Sequence, residues 1–213
     1  MVNCAGETKC RFCRIRNGKD KFSEIDVPIV SNEDYIAIAS VGGFIPGWTL
    51  IIPKEHTYSM RKNYSDLNFI KIADEMIQRI EKQYKKNCII FEHGANHENS
   101  VTACGTNHAH MHILPYEGSL LDVMENKYND WISCQVEDIE KIVGDKEYWF
   151  YAENVSNVEN TRGYVHIIEQ PESQFFRKIL AEKEGIMEKY SYKEYTFEKM
   201  SEETSRLLRG NNE

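Results

Sequence analysis

Residues Thr106–Pro115 read TNHAHMHILP and place three of the chain's seven histidines, His108, His110 and His112, at alternate positions. On a β-strand, side chains two residues apart leave the same face of the sheet. The three imidazoles therefore share one face, and Ala109, Met111 and Ile113 share the other. Each imidazole carries two nitrogens that need partners, so three together make poor core packing. That leaves a metal site or a catalytic histidine array, and spacing alone does not choose between them.

The pattern H-x-H-x-H running into Ile-Leu-Pro resembles the signature of the histidine-triad (HIT) family of nucleotide hydrolases and transferases. Three further stretches point the same way. FEHG (Phe91–Gly94) and the loop ending Cys-Gly-Thr resemble what precedes the triad in a bacterial FEHG-type subgroup. GGFIPGWTLIIPKEH (Gly42–His56) is similar to the family's stretch ending in Pro-Lys-x-His. CRFC (Cys10–Cys13) resembles the Cys-x-x-Cys of zinc-containing members and of the related galactose uridylyl transferases. The four motifs stand in the family's order within residues 10–116, and the remainder resembles longer members more weakly.

This resemblance implies a chemistry. In the family the middle histidine, here His110, attacks the α-phosphorus and forms a nucleotidyl-histidine, while the last, here His112, contacts a phosphate or leaving-group oxygen. A neutral imidazole suits the first task because its pKa lies near neutrality. In members with the cysteine pair, a zinc is held by both cysteines, the histidine of Pro-Lys-x-His and the first triad histidine. Here these are Cys10, Cys13, His56 and His108. Four protein ligands fill a tetrahedral shell, so such a zinc would be structural. The position at which many members hold the ribose hydroxyls with an acidic side chain falls on Ser40, which cannot accept two hydroxyl hydrogen bonds as a carboxylate does. The expected activity is that of a nucleotidyl hydrolase or transferase acting on a phosphoanhydride or phosphoramidate. Two other classes stay open: a metal-dependent hydrolase using the three triad histidines as ligands, and a non-catalytic nucleotide-binding module. Small family members are dimers, so a homodimer is an expectation unless the C-terminal part covers that interface.

Composition narrows the field. The chain has 213 residues, 41% hydrophobic and 28% charged, as in ordinary globular proteins. With 26 basic against 34 acidic residues the net charge is −8, so there is no overall basic field to attract nucleic acid. No stretch approaches the roughly 20 apolar residues of a membrane helix, and MVNCAGETKC lacks an apolar signal core. A cytoplasmic protein with a nucleotide-type small-molecule substrate is the expectation. In that compartment the close pair Cys10/Cys13 reads as metal-binding rather than as a disulfide.

The expected fold is α+β. An antiparallel sheet of about five strands carries one long packed helix, and residues 1–116 form a catalytic core followed by an α/β extension over 117–213. Ile25–Val30, Tyr35–Ser40, Thr49–Ile52 and Cys88–Glu92 read as strands beside the triad strand. Ser65 reads as the N-cap of a helix to about Lys86, with Leu67, Ile70, Ile77 and Ile80 at helical spacing and Asn87 as its stop. The loop Gly94–Gly105 offers N–H and hydroxyl groups to an anion, with Thr106 and Asn107 after it as candidate substrate contacts. Leu120–Trp131 reads as a helix, Tyr148–Glu153 and Gly163–Gln170 as a hairpin, and Ser173–Glu184 as a helix. The start of that last helix, Gln174 to Lys178, is expected to reach the site, with Arg177 the phosphate or leaving-group contact. Residues 194–213 read as a fraying tail.

Overall fold

The computed structural model describes residues 10–18 and 23–210. Cys4 and the end of the expected C-terminal tail lie outside the described residues. Among the described residues the chain folds around one antiparallel sheet of eight strands, not the expected five, in the order β1-β2-β3-β5-β4-β7-β8-β6. The strands are β1 (Val30–Ser31), β2 (Tyr35–Ala39), β3 (Thr49–Pro53), β4 (Cys88–Gly94), β5 (Met111–Pro115), β6 (Ile132–Gln135), β7 (Tyr148–Val155) and β8 (Arg162–Ile167). Strand β7 pairs with β4, so the hairpin of the C-terminal half continues the same sheet. The triad strand β5 is central, with Leu50 of β3 opposite His112 on one side and Phe91 of β4 on the other.

Both faces of this sheet are covered, which is why β2 to β5 are buried along their whole length. On one face lies α2 (Leu67–Tyr84), whose Phe69, Ile72, Ala73, Met76, Ile77 and Ile80 pack on Ala37, Ile51, Ile90, Met111 and Ile113. Ala109, Met111 and Ile113 all join this layer, as period-two alternation requires. The N-cap is Asp66 rather than Ser65. Its backbone is extended and its carboxylate accepts from the N–H groups of Asn68 and Phe69, satisfying donors that begin every helix. The helix stops at Lys85, whose left-handed backbone (φ 56°) ends it before Asn87.

The opposite face carries α1 (Arg11–Arg16), α3 (Leu121–Lys127) and α5 (Phe175–Lys183). Phe12, Cys13 and Ile15 of α1 pack on Ile36, Ile38, Leu50 and Ile52. Phe175, Phe176 and Ile179 of α5 pack on Phe91, Trp149 and Tyr151, with Phe175 stacked on the Trp149 indole at 3.9 Å. Helix α4 (Ile139–Val143) closes the end of the first layer. The expected fraying tail is instead α6 (Glu198–Arg209). Three small hydroxyl residues on one side dock it: Ser201 donates to the Ser40 carbonyl, Thr204 accepts from the Gly47 N–H, and Ser205 donates to the Glu24 carbonyl. Ile25–Val30 is not one strand, because Glu24–Asp26 turn as a 3-10 helix and only Val30 begins β1. Among the described residues no helix is long and apolar enough to cross a membrane.

Candidate functional site

Two clusters meet at the N-terminal end of the triad segment. Cys10, Cys13, His56 and His108 bring their ligand atoms within 4.8 Å of one another. Strand β3 delivers His56 from its end, α1 delivers Cys10 and Cys13, and the residues before β5 deliver His108. The His108 Nε2 lies 2.8 Å from the Pro53 carbonyl oxygen. A carbonyl only accepts, so Nε2 carries the proton and Nδ1 offers its lone pair. That Nδ1 faces Cys10 Sγ at 3.3 Å and Cys13 Sγ at 3.5 Å, and His56 Nδ1 lies 3.2 Å from Cys13 Sγ. Around a tetrahedral zinc with ordinary Zn–S and Zn–N lengths, a sulfur–nitrogen edge comes to roughly 3.5 Å. The spacing, the donor set and the tautomer fit a metal ion of this kind.

The other two triad residues turn into a cavity on the same face. His110 and His112 line it with His93, Phe12, Ser40, Leu50, Cys104, Thr106, Arg177 and Tyr192. It encloses about 60 Å³. On that measure one water takes roughly 10–15 Å³, so a phosphoryl group with a few waters fills it and the rest of any larger ligand must pass the mouth. The His110 Nδ1 lies 2.9 Å from the His108 carbonyl oxygen, which puts its proton on Nδ1 and leaves Nε2 bare. Burial lowers the His110 pKa and so favours the neutral ring. His112 is set the other way. Its Nδ1 accepts from the Trp48 indole N–H at 3.0 Å, so its remaining proton sits on Nε2. Phe91 stacks beneath the His112 ring at 4.4 Å and fixes its plane.

Among the described residues no carboxylate lines this cavity. Its buried cation is Arg177, in the first turn of α5. The guanidinium donates to the carbonyls of Tyr190 at 2.9 Å and Gly42 at 2.5 Å, and it lies over the Trp48 ring at 4.9 Å. Burial lowers its pKa to about 10, which still leaves it protonated at neutral pH. Gly42 matters here for space. A Cβ there would lie 2.6 Å from the Tyr192 Cβ, and its backbone is left-handed at φ +72°, so the segment from Tyr190 to Thr196 can close on it. The Gly42 N–H donates to the Thr196 carbonyl at 2.6 Å, and Tyr192 donates its hydroxyl proton to the Cys104 carbonyl at 2.7 Å.

The structure thus brings Ser40, Thr106, His110, His112 and Arg177 to one cavity. Asn107 and Gln174 stand outside its wall. Asn107 pairs with Asn99 across the preceding loop, and the Gln174 side-chain oxygen accepts from the Tyr192 N–H. The sequence assigns no role to Cys104, Tyr192 or Trp48, which the fold adds to the site; it leaves His93 between a group supporting the site and a satisfied structural histidine, and the fold places it in the cavity wall. His93 is two residues after Phe91 on β4, and that alternation was the one available signal. Glu92, fully buried on the other face, accepts from the Met60 N–H and from the hydroxyls of Tyr64 and Tyr148.

Fold and site together define an α+β protein with a histidine-lined, cation-bearing cavity beside a Cys₂His₂ cluster. The family model of the HIT domain matches residues 23–118, from before β1 to just beyond β5. The chain is 31% identical over 74 residues to the adenosine 5'-monophosphoramidase HINT3 of Danio rerio. That stretch is 34% of this chain and 44% of the relative, so the match spans under half of that protein's length. Among solved structures it is similar to a HIT-like protein of Bartonella henselae involved in cell-cycle regulation, at 20% identity and a TM-score of 0.41 over 53% of this chain and 79% of that one. It is also similar to a hypothetical histidine triad nucleotide-binding protein of Sulfolobus tokodaii, at 23% identity and a TM-score of 0.41 over 52% of this chain and 71% of the other.

Proposed function

We propose that this protein is a nucleotidyl hydrolase or transferase that attacks a nucleotide phosphoanhydride or phosphoramidate with Nε2 of His110. The observation that carries the reading is the contact between His110 Nδ1 and the His108 carbonyl, because it holds the ring proton away from the cavity and leaves the nucleophilic lone pair facing it. In the first step Nε2 bonds to phosphorus and the bond to the leaving group breaks, the electron pair departing with that group, which takes up a proton from solvent where it leaves as an amine. In the second, water or another acceptor bonds to phosphorus and the phosphorus–nitrogen bond returns its pair to Nε2, while the acceptor's proton passes to solvent. His112 donates its Nε2 proton in a hydrogen bond to a phosphoryl or leaving-group oxygen, and Arg177 balances the charge on the phosphate. Ser40 and Thr106 contact the substrate from the wall. Gln174 and Asn107 act behind it, by holding Tyr192 and the loop at Asn99.

A structural zinc on Cys10, Cys13, His56 and His108 completes the reading. All four positions of its shell are protein atoms, so the ion takes no substrate and serves to staple α1 to the sheet next to His110. Residues 1–116 supply the nucleophile and the metal shell, and 117–213 supply Arg177 and the cover of Tyr192. The test is to mix the protein with labelled nucleoside phosphoramidates, dinucleoside polyphosphates and nucleotide sugars, quench without acid and look for a labelled nucleotide on His110. Turnover without any such adduct, together with metal loss in His110→Asn, would give the reaction to a metal-bound triad instead.

A further inference from the structure

His93 has no part in the steps above, yet it lines the same cavity as His110, His112 and Arg177. Its ring stands edge-on to His112 at 5.9 Å and packs on Phe176 at 5.2 Å. Its Nε2 accepts from the backbone N–H of Phe176 at 3.4 Å. Phe176 is the second residue of α5, where a backbone N–H has no acceptor within the helix. A backbone N–H can only donate, so Nε2 keeps its lone pair and the proton of the neutral ring sits on Nδ1. That Nδ1 has no hydrogen-bond partner among the described residues, and it is not one of the polar atoms sealed from solvent. The fold therefore leaves a solvent-accessible N–H donor on a residue that lines the cavity.

We propose that His93 is a phosphoryl-binding residue whose Nδ1–H donates to a non-bridging oxygen of the group that His110 attacks. This rests on the phosphoryl-transfer reading above. The geometry then gives the phosphoryl group two imidazole donors on adjacent strands, Nε2–H of His112 and Nδ1–H of His93, with Arg177 as the charge. In-line displacement spreads charge over the non-bridging oxygens, and donors already aimed at them need no reorganisation. His93 transfers no proton. Its Nε2 is occupied by Phe176, so no relay runs through the ring, and the same proton stays on Nδ1 throughout. Burial, with His110 and Arg177 nearby, lowers the His93 pKa to about 3, so the ring is a neutral donor across the neutral range and adds no charge to compete with Arg177.

A pair of substitutions separates this role from simple capping of α5. His93→Asn places an amide N–H near the position of Nδ1–H but cannot reach the Phe176 N–H. His93→Gln offers its amide oxygen to Phe176 and has no donor at the place of Nδ1. Donation to phosphate predicts that Asn stays within roughly tenfold of wild-type kcat while Gln falls by about 10²–10³, the usual loss for one such donor. A purely structural role predicts the reverse order, with Gln the better folded and the more active. If Gln matches or exceeds Asn at equal folded fraction, the proposal is overturned. A second measurement is independent of the substrate. Nitrogen-resolved NMR of the histidine rings, with orthovanadate as the probe, should show His93 protonated on Nδ1 and that signal shifting on addition. Vanadate that shifts His112 but not His93, or shifts neither, overturns the proposal. The shift in His93 without turnover of any nucleotide would leave this site standing and fail the nucleotide reading alone.

Discussion

Glu92 gives the most demanding test of the packing behind the triad strand. It lies opposite Met111 in the sheet, is fully buried, and accepts from the Met60 N–H at 2.6 Å, the Tyr64 hydroxyl at 2.6 Å and the Tyr148 hydroxyl at 2.5 Å. Burial raises its pKa, while those donors and Arg61 oppose the shift. Replacing Glu92 by leucine satisfies the hydrophobic pattern of a buried strand position but strips three donors of their acceptor. At about 1–3 kcal/mol for each orphaned group the loss is roughly 3–9 kcal/mol, against a total stability of about 5–15 kcal/mol for a typical domain. Tyr148→Phe should then change sign with context. In the wild type it removes a bond to an acidic side chain and costs about 1.5–3 kcal/mol. In the Glu92→Leu background it deletes an orphaned hydroxyl and recovers about 1–3 kcal/mol. Urea unfolding of the wild type, both single variants and the double variant gives the coupling directly, expected at about 2.5–6 kcal/mol. Equal costs for Tyr148→Phe in both backgrounds would refute the reasoning, as would Glu92→Leu at wild-type stability.

Four further outcomes follow from the site. His110→Asn keeps an amide N–H for the His108 carbonyl but has no nucleophilic nitrogen, so kcat should fall by about 10⁴–10⁶ with the melting temperature and metal content unchanged, read by stopped assay, thermal melt and elemental analysis. Native protein should carry one zinc per chain, and the Cys10→Ser/Cys13→Ser double variant should lose both the zinc and the protection of residues 10–18 from proteolysis; a native preparation without zinc would remove this ion from the proposal. Because the His93 pKa is lowered to about 3 in the folded chain, against about 6.5 unfolded, the folded state binds fewer protons. Its contribution is thus full above about pH 6.5 and is lost as pH falls toward 3, by at most about 1.4 kcal/mol per pH unit; unfolding titrations of His93→Gln should show a shallower acid limb than wild type. Gly42→Ala forces a Cβ to 2.6 Å from Tyr192 at a left-handed backbone, and should cost about 1–3 kcal/mol while raising cleavage between residues 185 and 200 in limited proteolysis.

What was legible in the sequence is what local chemistry encodes. Alternation over residues 108–113 assigns the two faces of the triad segment, because it depends only on the geometry of one element. The apolar repeat of residues 67–80 gives the helix, but packing sets its core face: Leu67 is exposed, while Phe69, Ile72 and Met76 are buried with Ile77 and Ile80. Cys10, Cys13, His56 and His108 are spread over 98 positions, and their grouping entered only through the likeness to a family motif. Strand order depended on packing, and α6 remained hidden because its docked face carries three hydroxyls and one buried apolar residue, Leu208, rather than an apolar stripe.

The sequence by itself determined which residues could do chemistry, since imidazole, thiol and guanidinium groups are fixed by residue type. Tertiary structure alone decided which nitrogen of each ring carries the proton. Pro53 orients His108 toward the cysteines, the His108 carbonyl bares Nε2 of His110, Trp48 turns His112 into a donor, and Phe176 does the same for His93. Three of these four partners lie far from their histidine in sequence. A ring nitrogen's role depends on whether the nearest group donates or accepts, and that is a property of the fold.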